Sequence, residues 1–350
     1  MMQHNPISRI LRGALVIAVL LFVGSASALD KVGTTSLQLL KIPLGVRGIA
    51  MGNAACASLS DAECVWSNPG LLTEMNKGYQ FLASQINMPA DVHLMSFVVA
   101  HTLDDYSAAS VHLINLYTDP MKERTWYQPL GTGREFLAWD MVIGAGYTRK
   151  LLDRFSLGGN VRYLHSKLAE QTYDGVSFDL GTIYKTSLRS LRLGMSIQNL
   201  GPDVKYSGTF PDYRNRVQNG DQLVNQTFEG ASLPTMFRLG LAFDPFEMVG
   251  AHVSSDYTAV ASVEMNHPND NRERLNMGAE FGFRNMFFLR AGGKIQYDQE
   301  DVALGFGVKV PVFDGYKVRA DFAYSHTGIL EEAADDFWGK PYRFAIGFEW

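Results

Sequence analysis

The segment Tyr342-Arg343-Phe344-Ala345-Ile346-Gly347-Phe348-Glu349-Trp350 alternates without a break. Aromatic or aliphatic residues hold the even positions, and small or charged residues hold the odd ones. A β-strand is the only regular structure with that period, because its successive side chains point to opposite faces. One face is therefore Tyr342, Phe344, Ile346, Phe348 and Trp350. The other is Arg343, Ala345, Gly347 and Glu349. The first face suits lipid and the second a wet interior.

The same period recurs upstream. Runs near 79–87, 92–101, 106–115, 138–149, 154–165, 174–186, 190–199, 235–243, 253–265, 273–283, 286–296, 302–310, 315–326 and 342–350 predict fourteen strands. Most have the length a tilted strand needs to cross a bilayer. The pattern is clearest in Tyr316–Tyr324, where Tyr, Val, Ala, Phe and Tyr alternate with Lys, Arg, Asp and Ala. It is least regular in the first three runs. Beyond residue 28 no stretch of about 18 apolar residues occurs, so no membrane-spanning helix is predicted.

Connection lengths separate a membrane barrel from a soluble sandwich. Every second connection is tight (102–105, 150–153, 187–189, 284–285 and 311–314, with 244–252 longer). The intervening set holds all the long ones: 116–137, 200–234 and 327–341. Outer-membrane barrels sort their loops in this way. With an even strand count, both termini fall on the short-turn side, the periplasm. The expected fold is an all-β transmembrane barrel of about fourteen antiparallel strands, residues 78–350.

The face turned from lipid carries both signs of charge. Arg162, Arg192, Arg238, Arg290, Lys294, Lys309, Lys317 and Arg319 stand against Asp179, Asp256, Glu264, Glu280, Asp321 and Glu349. A lattice of mutually satisfied ion pairs is the favoured reading over a selectivity site. Gly158, Gly240, Gly282, Gly292, Gly305 and Gly307 are interleaved with these charges and leave room for an internal plug. Residues 29–77 can supply it. They do not alternate, and they read as short helical pieces: one or two turns within Thr35–Leu40, then a helix opened by a Ser60/Glu63 capping box at Asp61 and ended by Asn68-Pro69-Gly70.

Residues 1–28 have the layout of an export signal. Arg9 and Arg12 precede an apolar run from Ala14 to Val23, and Ala26-Ser27-Ala28 follows as a cleavage site. The formal charge of −5 becomes −7 once those two arginines are removed. Mild acidity of this kind argues against a nucleic-acid partner. Two cysteines in an exported chain, Cys56 and Cys64, are read either as one small disulfide or as two buried thiols.

Two resemblances follow from these residues. The closing strand, with Phe348 and Trp350, resembles the C-terminal strand of bacterial outer-membrane barrels, which implies the barrel-assembly machinery and outer-membrane lipid as partners. The run Leu40-Lys41-Ile42-Pro43-Leu44-Gly45-Val46-Arg47-Gly48-Ile49-Ala50-Met51-Gly52-Asn53-Ala54, followed by Leu59-Ser60-Asp61-Ala62-Glu63-Cys64-Val65-Trp66-Ser67-Asn68-Pro69-Gly70-Leu71, resembles the N-terminal signature of the PorV/PorQ family. This sequence departs from that signature at Pro43, at both cysteines, and at Gly70, where the family usually has alanine.

The resemblance implies a fourteen-stranded outer-membrane barrel related to the FadL fatty-acid transporters, with residues 29–77 as an internal hatch. Arg47, Met51, Gly52, Asn68, Pro69 and Gly70 match hatch positions, and their expected role is to fold the hatch. PorV-type members act with the type IX secretion system and receive secreted proteins. FadL-type relatives pass hydrophobic small molecules through a hatch and a lateral opening. The first function makes Trp126, Tyr127, Phe337 and Trp338, in the long loops, candidate partner contacts; these residues could equally be membrane-interface aromatics. The second predicts an apolar pocket between hatch and wall.

Catalysis has little support. His112, His165, His252 and His326 lack a fixed nucleophile, and the chain has no G-x-S-x-G elbow, H-E-x-x-H pair or Gly-rich phosphate loop. No catalytic, cofactor or metal residues are assigned. His267, Asp270 and Glu273 match no defined calcium loop and read as a solvated loop.

Overall fold

The computed structural model describes residues 32–88, 92–212, 224–251, 253–298, 300–313, 315–326 and 342–350. Residues 1–28, expected to be an export signal, and Phe337 and Trp338 lie outside the described residues. Fourteen strands close into a single antiparallel barrel. They are β1 (Tyr79–Met88), β2 (Val92–Thr102), β3 (Ser107–Thr118), β4 (Ala138–Leu152) and β5 (Phe155–Leu168). Next come β6 (Gln171–Lys185), β7 (Arg192–Leu200), β8 (Met236–Phe243), β9 (Tyr257–Pro268) and β10 (Arg274–Phe283). The last are β11 (Phe287–Ile295), β12 (Val302–Phe313), β13 (Tyr316–Ser325) and β14 (Tyr342–Glu349).

All fourteen expected strands are present, with ends shifted by a few residues. The long connections also contain short strands beyond the fourteen. Met121–Lys122 pairs with Glu135–Phe136, and Thr209–Asp212 pairs with Val224–Thr227. Both pairs are too short for alternation to register.

β14 closes the barrel. It pairs on one side with β13 and on the other with β1, in a ladder running from Gln80 opposite Glu349 to Ile86 opposite Arg343. Phe344, Ile346 and Phe348 face outward while Arg343 and Ala345 are buried inside. At the turn end Tyr79 stacks on His101 (ring centroids 3.7 Å apart) and on Trp350 (5.3 Å), part of an aromatic girdle. Without β14, both β1 and β13 become open edges, which a bilayer does not tolerate. Deletion of 342–350 is expected to abolish the heat-modifiable folded band on semi-native gels. A truncated chain that still gives that band would contradict the closed-barrel account.

The lumen has two unlike halves. Inward residues of β1–β6 include Leu82, Ile86, Leu94, Val98, Ile114, Val142, Leu164 and Ile183, all buried and apolar. Inward residues of β8–β14 include Arg238, Glu264, Glu280, Arg290, Arg319, Asp321 and Arg343, buried and charged. The N-terminal segment lies between the halves. Leu39, Val46, Ile49, Leu59, Leu71 and Leu72 form one apolar cluster with the first half.

The chain ends of the barrel itself, Tyr79 and Trp350, meet at the turn end. The segment that precedes it does not stay there. Thr35 bridges Ser232, and Lys41 Nζ pairs with Asp270 Oδ2 at 2.9 Å, so residues near 35–41 sit at the loop end. The segment therefore runs through the lumen from loop end to turn end. The expectation that the chain's N-terminal side stays with the short turns does not extend to these residues.

Candidate functional site: the hatch and the lumen wall

Four short helical pieces shape the segment: 3-10 turns at Gln38–Lys41, Ala62–Trp66 and Pro69–Glu74, and α1 at Val46–Ala50. Two starts differ from the sequence reading. Asp61, not Ser60, caps Ala62–Trp66, its side chain accepting from Glu63 N at 3.1 Å. Asn68 opens the last turn instead of ending a helix: its Oδ1 accepts from Gly70 N at 3.0 Å, with Pro69 at the first position, where its missing N–H costs nothing. Glu63 serves another element. Its carboxylate accepts from Arg47 N (3.2 and 3.0 Å) and Gly48 N (3.3 Å), capping α1.

Glycines in the wall determine where the hatch backbone can approach. A Cβ on Gly278 or Gly292 would overlap Met51 or the Gly52 amide. Gly194 similarly receives the Cys56 carbonyl, while Gly158 and Gly181 receive Pro69 and Asn68. Gly52 is itself left-handed (φ 62°), the conformation glycine adopts at least cost. Met51, Gly52, Asn68, Pro69 and Gly70 thus all lie at points where hatch and wall backbones nearly touch.

Polar side chains of both hatch and wall then satisfy the backbone where the two meet. Asn68 Nδ2 donates to Cys56 O (2.7 Å) and Thr182 O (2.9 Å). Thr148 Oγ1 donates to Pro69 O (2.5 Å), Asn160 Nδ2 to Val65 O (3.0 Å) and Gln198 Nε2 to Trp66 O (2.9 Å). Glu264 accepts from Cys56 N at 2.7 Å and pairs with Arg238 at 3.3 Å. Irregular backbone at membrane depth is stable only when it is satisfied in this manner.

A closed ring of ions locks the opposite side. Arg47 forks onto Glu280 (2.8 and 2.7 Å) and reaches Asp61 (2.8 Å). Arg319 Nη1 donates to the same Asp61 oxygen at 2.5 Å, and Arg319 Nε pairs with Asp321. Arg290 completes the circuit, donating to Asp321 (2.5 Å) and Glu280 (2.6 Å). Each of the three carboxylates takes two guanidinium groups. The hatch contributes Arg47 and Asp61, and the wall contributes the other four. Alternation alone marks Glu280, Arg290, Arg319 and Asp321 as inward charges, whereas no period marks Asp61, whose only cue in the sequence is its place in a segment bound for the interior.

The two cysteines are both free and both fully buried, the second of the two arrangements their spacing allows. Cys56 is held against β7 and β8 by Glu264 and the glycine contacts, while Cys64 belongs to the next turn of the hatch. Burial, reinforced by Glu264, pushes the Cys56 thiol up, and burial does the same for Cys64. The native protein is expected to resist a maleimide at both thiols and to label at both on denaturation, read by mass. Labelling without denaturant would show an unseated hatch.

The remaining candidates are scattered. Trp126 and Tyr127 are 96% and 94% exposed, at the tip of the Met121–Phe136 hairpin, with Leu130 beside them at 91%. Phe348 and Trp350 face outward on the barrel. His112 is buried in the lumen wall, whereas His165 faces out and meets Asp174 at 2.8 Å. His326 pairs with Asp301, and His252 lies outside the described residues. The three described histidines are not brought together. Asp270 is occupied by Lys41 and Thr35, leaving His267 paired with Glu273 at 3.1 Å.

Three register shifts interrupt the wall, two of them beside tight turns, at Lys150/Leu152 and Pro311/Phe313, and the third within the span of β6 and β7. Phe178 opposes Leu200 and Leu180 opposes Ile197, so Asp179 faces two residues, Gln198 and Asn199. Asn199 is left-handed (φ 60°), and its N–H donates to Asp179 Oδ1 at 2.9 Å. Arg162 pairs with Asp179 and donates to Asn199 Oδ1 at 3.0 Å. This is a β-bulge in β7, at which the Asp179 carboxylate of β6 takes the Asn199 N–H in place of a ladder carbonyl.

Free space is uneven. The cavity between the loop-end part of the hatch and the apolar half, bordered by Leu39, Leu44, Trp66, Ile114 and Arg162, measures about 30 Å³, room for a water but not a solute. The apolar pocket expected there is filled by the hatch's own leucines. At the turn end a larger chamber of about 590 Å³ adjoins the ion ring.

No family model matches the chain, and no curated protein is similar to it in sequence. Solved structures do match. The Pseudomonas putida toluene transporter TodX superposes with a TM-score of 0.54 at 12% identity, over 87% of this chain and 97% of that one. The Ralstonia pickettii toluene transporter TbuX gives 0.52 at 12%, over 87% and 97%. A Pseudomonas aeruginosa FadL homologue gives 0.52 at 11%, over 87% and 96%. The chain has the closed fourteen-stranded outer-membrane barrel fold that these FadL-type proteins share.

Proposed function

We propose that this protein resides in the bacterial outer membrane and lets a hydrophobic small molecule cross it, in the manner of FadL-type transporters. The observation that carries this reading is the hatch itself. An open porin would leave a water-filled lumen; here the hatch fills it, with an apolar cluster on one side. Such a barrel suits a solute that partitions out of water and meets a movable plug. The neighbours of this fold include toluene transporters, which favours the same class.

The lateral opening implied by the FadL resemblance has a natural location here, the bulge at Asp179 and Asn199. It lies one strand from the Pro69 and Gly70 contacts, so moving that part of the hatch would expose it. Purified protein in liposomes should speed the entry of radiolabelled toluene, with no matching gain for a sugar of similar mass. Equal rates for both would sink the proposal.

A second reading is a PorV/PorQ-type carrier of secreted proteins working with a type IX apparatus. It is favoured by one feature, the exposed Trp126, Tyr127 and Leu130 on a single hairpin tip. Native pull-down is the discriminating experiment: recovery of secretion components that is lost in Trp126→Ser/Tyr127→Ser supports the carrier. If the solute enters liposomes and no such component is recovered, the transporter reading stands alone.

A further inference from the structure

The ion ring is neutral without Glu63. Its guanidiniums, from Arg47, Arg290 and Arg319, answer the carboxylates of Asp61, Glu280 and Asp321. Glu63 adds a further carboxylate beside the ring, and its side chain is wholly buried. Arg319 Nη2 comes within 3.6 Å of Glu63 Oε1, beyond hydrogen-bond reach, and that guanidinium already serves Asp61 and Asp321. The hydrogen bonds Glu63 does accept come from neutral groups, the amides of Arg47 and Gly48.

The carboxylate has no room to turn away. A Cβ on Gly45, at the start of α1, would lie 2.5 Å from Glu63 Oε2. Asp61 and the Cys64 thiol face Glu63 from its own turn, the amides from α1, and Arg319 and Asp321 from β13. Gln80 on β1, which is uncharged, and Glu349 on β14, held by Lys309, border the same gap of about 10 Å³. A second gap of about 30 Å³ reaches Glu63 from the loop-end part of the hatch. Gln80 Nε2 and Arg319 Nη2 have no hydrogen-bond partner. Gaps of water size beside unpaired donors give a proton a way to the buried carboxyl.

Burying a carboxylate with no cation of its own costs more than burying the neutral acid. Burial, and after it the charge of Asp61, push the Glu63 carboxyl up to about 7. At Asp61 the Arg319 and Arg47 guanidiniums outweigh burial and hold the carboxyl well below its usual range.

We propose that Glu63 is a proton-binding site that sets how firmly the hatch is seated. Protonated, it leaves the buried charges balanced; ionised, it adds an unanswered negative charge that favours an unseated, wetted hatch. The proton comes from water and returns to it. A wetted carboxyl titrates near 4.5 and the seated one near 7, so seating is firmest in acid. It weakens as pH climbs between those values, by up to roughly tenfold per pH unit, and changes little beyond. The inference rests on the movable hatch of the proposed passage and not on which solute crosses.

Conductance of the purified full chain in planar bilayers, followed from about pH 5 to about pH 8, tests it. The native protein is expected to conduct more as pH rises. Glu63→Gln keeps an acceptor for the α1 amides without the charge, and should stay near the native acid-side level throughout. Glu273→Gln, in an exposed pair with His267, should keep the native response. Heat-modifiable mobility verifies that each variant folds. A flat native profile, or a folded Glu63→Gln with the native slope, would overturn the inference. Infrared difference spectra give a reading that needs no variant: the native protein should lose a carboxylic-acid carbonyl band near neutral pH, and the lack of any such band contradicts the proposal. Toluene is neutral at every pH, so its entry into liposomes keeps the two ideas apart. Entry with a flat conductance profile removes the switch alone, while a Glu63-dependent profile without entry supports the switch and removes the passage.

Discussion

Gly292→Leu is expected to unseat the hatch and open the barrel to ions. A Cβ at this position would overlap the amide of Gly52, and backbone on both sides leaves nothing flexible to yield. Overpacking a core costs about 1–3 kcal/mol even where side chains can shift. That range lowers the ratio of seated to unseated hatch by roughly 5- to 150-fold. In planar bilayers the variant should conduct well above the native protein. Ala291→Leu makes a comparable change one residue away, on the outward face, and should conduct like the native protein. If both variants behave alike, the close approach of Gly52 to Gly292 is not what holds the hatch.

Arg319→Met is expected to have the largest effect on stability. Arg319 serves Asp61 and Asp321 together and lies 3.6 Å from Glu63, so its removal leaves buried carboxylates short of a partner. Breaking a buried network from one side costs about 3–5 kcal/mol. The midpoint of the heat-modifiability transition should fall sharply. Arg319→Lys should recover little of the loss, because an ammonium cannot reproduce the guanidinium fork. Arg319→Met/Asp61→Asn should recover much of it, since Arg47 and Arg290 then face Glu280 and Asp321 alone and the ring is neutral again. A double variant less stable than Arg319→Met would mean that the ring stabilises by more than mutual neutralisation.

The barrel was legible because lipid imposes a strict rule on every strand. Alternation in 316–324 and 342–350 follows from one face meeting hydrocarbon and the other an interior, and turn lengths follow from which end of the barrel they join. The interior glycines were also legible as space. Their partners were not, since pairing Gly292 with Gly52 or Gly181 with Asn68 depends on how the hatch threads between two curved surfaces, which no local period encodes.

The hatch was the least legible part in detail. Ser60 and Glu63 have the spacing of a capping box, yet the barrel wall surrounds the segment with better partners, and Glu63 turns to cap α1 while Asp61 takes the local cap. Asn68 likewise looked like a helix stop, because Pro69 follows it. In place it is a start, with its amide spanning Cys56 and β6. Cys56 and Cys64, close in sequence, are separated because the wall holds Cys56 at β7 and β8 while the chain continues toward β5. In each case a tertiary contact overrides a local signal.

The proposed passage requires the hatch to move, and one substitution can hold it still. Cys56 Sγ lies 3.9 Å from Ser196 Oγ on β7, so Ser196→Cys gives the native thiol a partner on the wall within reach of a disulfide after side-chain rotation. Toluene entry into liposomes should fall to the protein-free rate when this variant is oxidised and return when the bond is reduced, with the native protein unaffected by either treatment. Undiminished entry with the bond fully formed would contradict the account, because the solute would then be crossing past a hatch fixed to the wall.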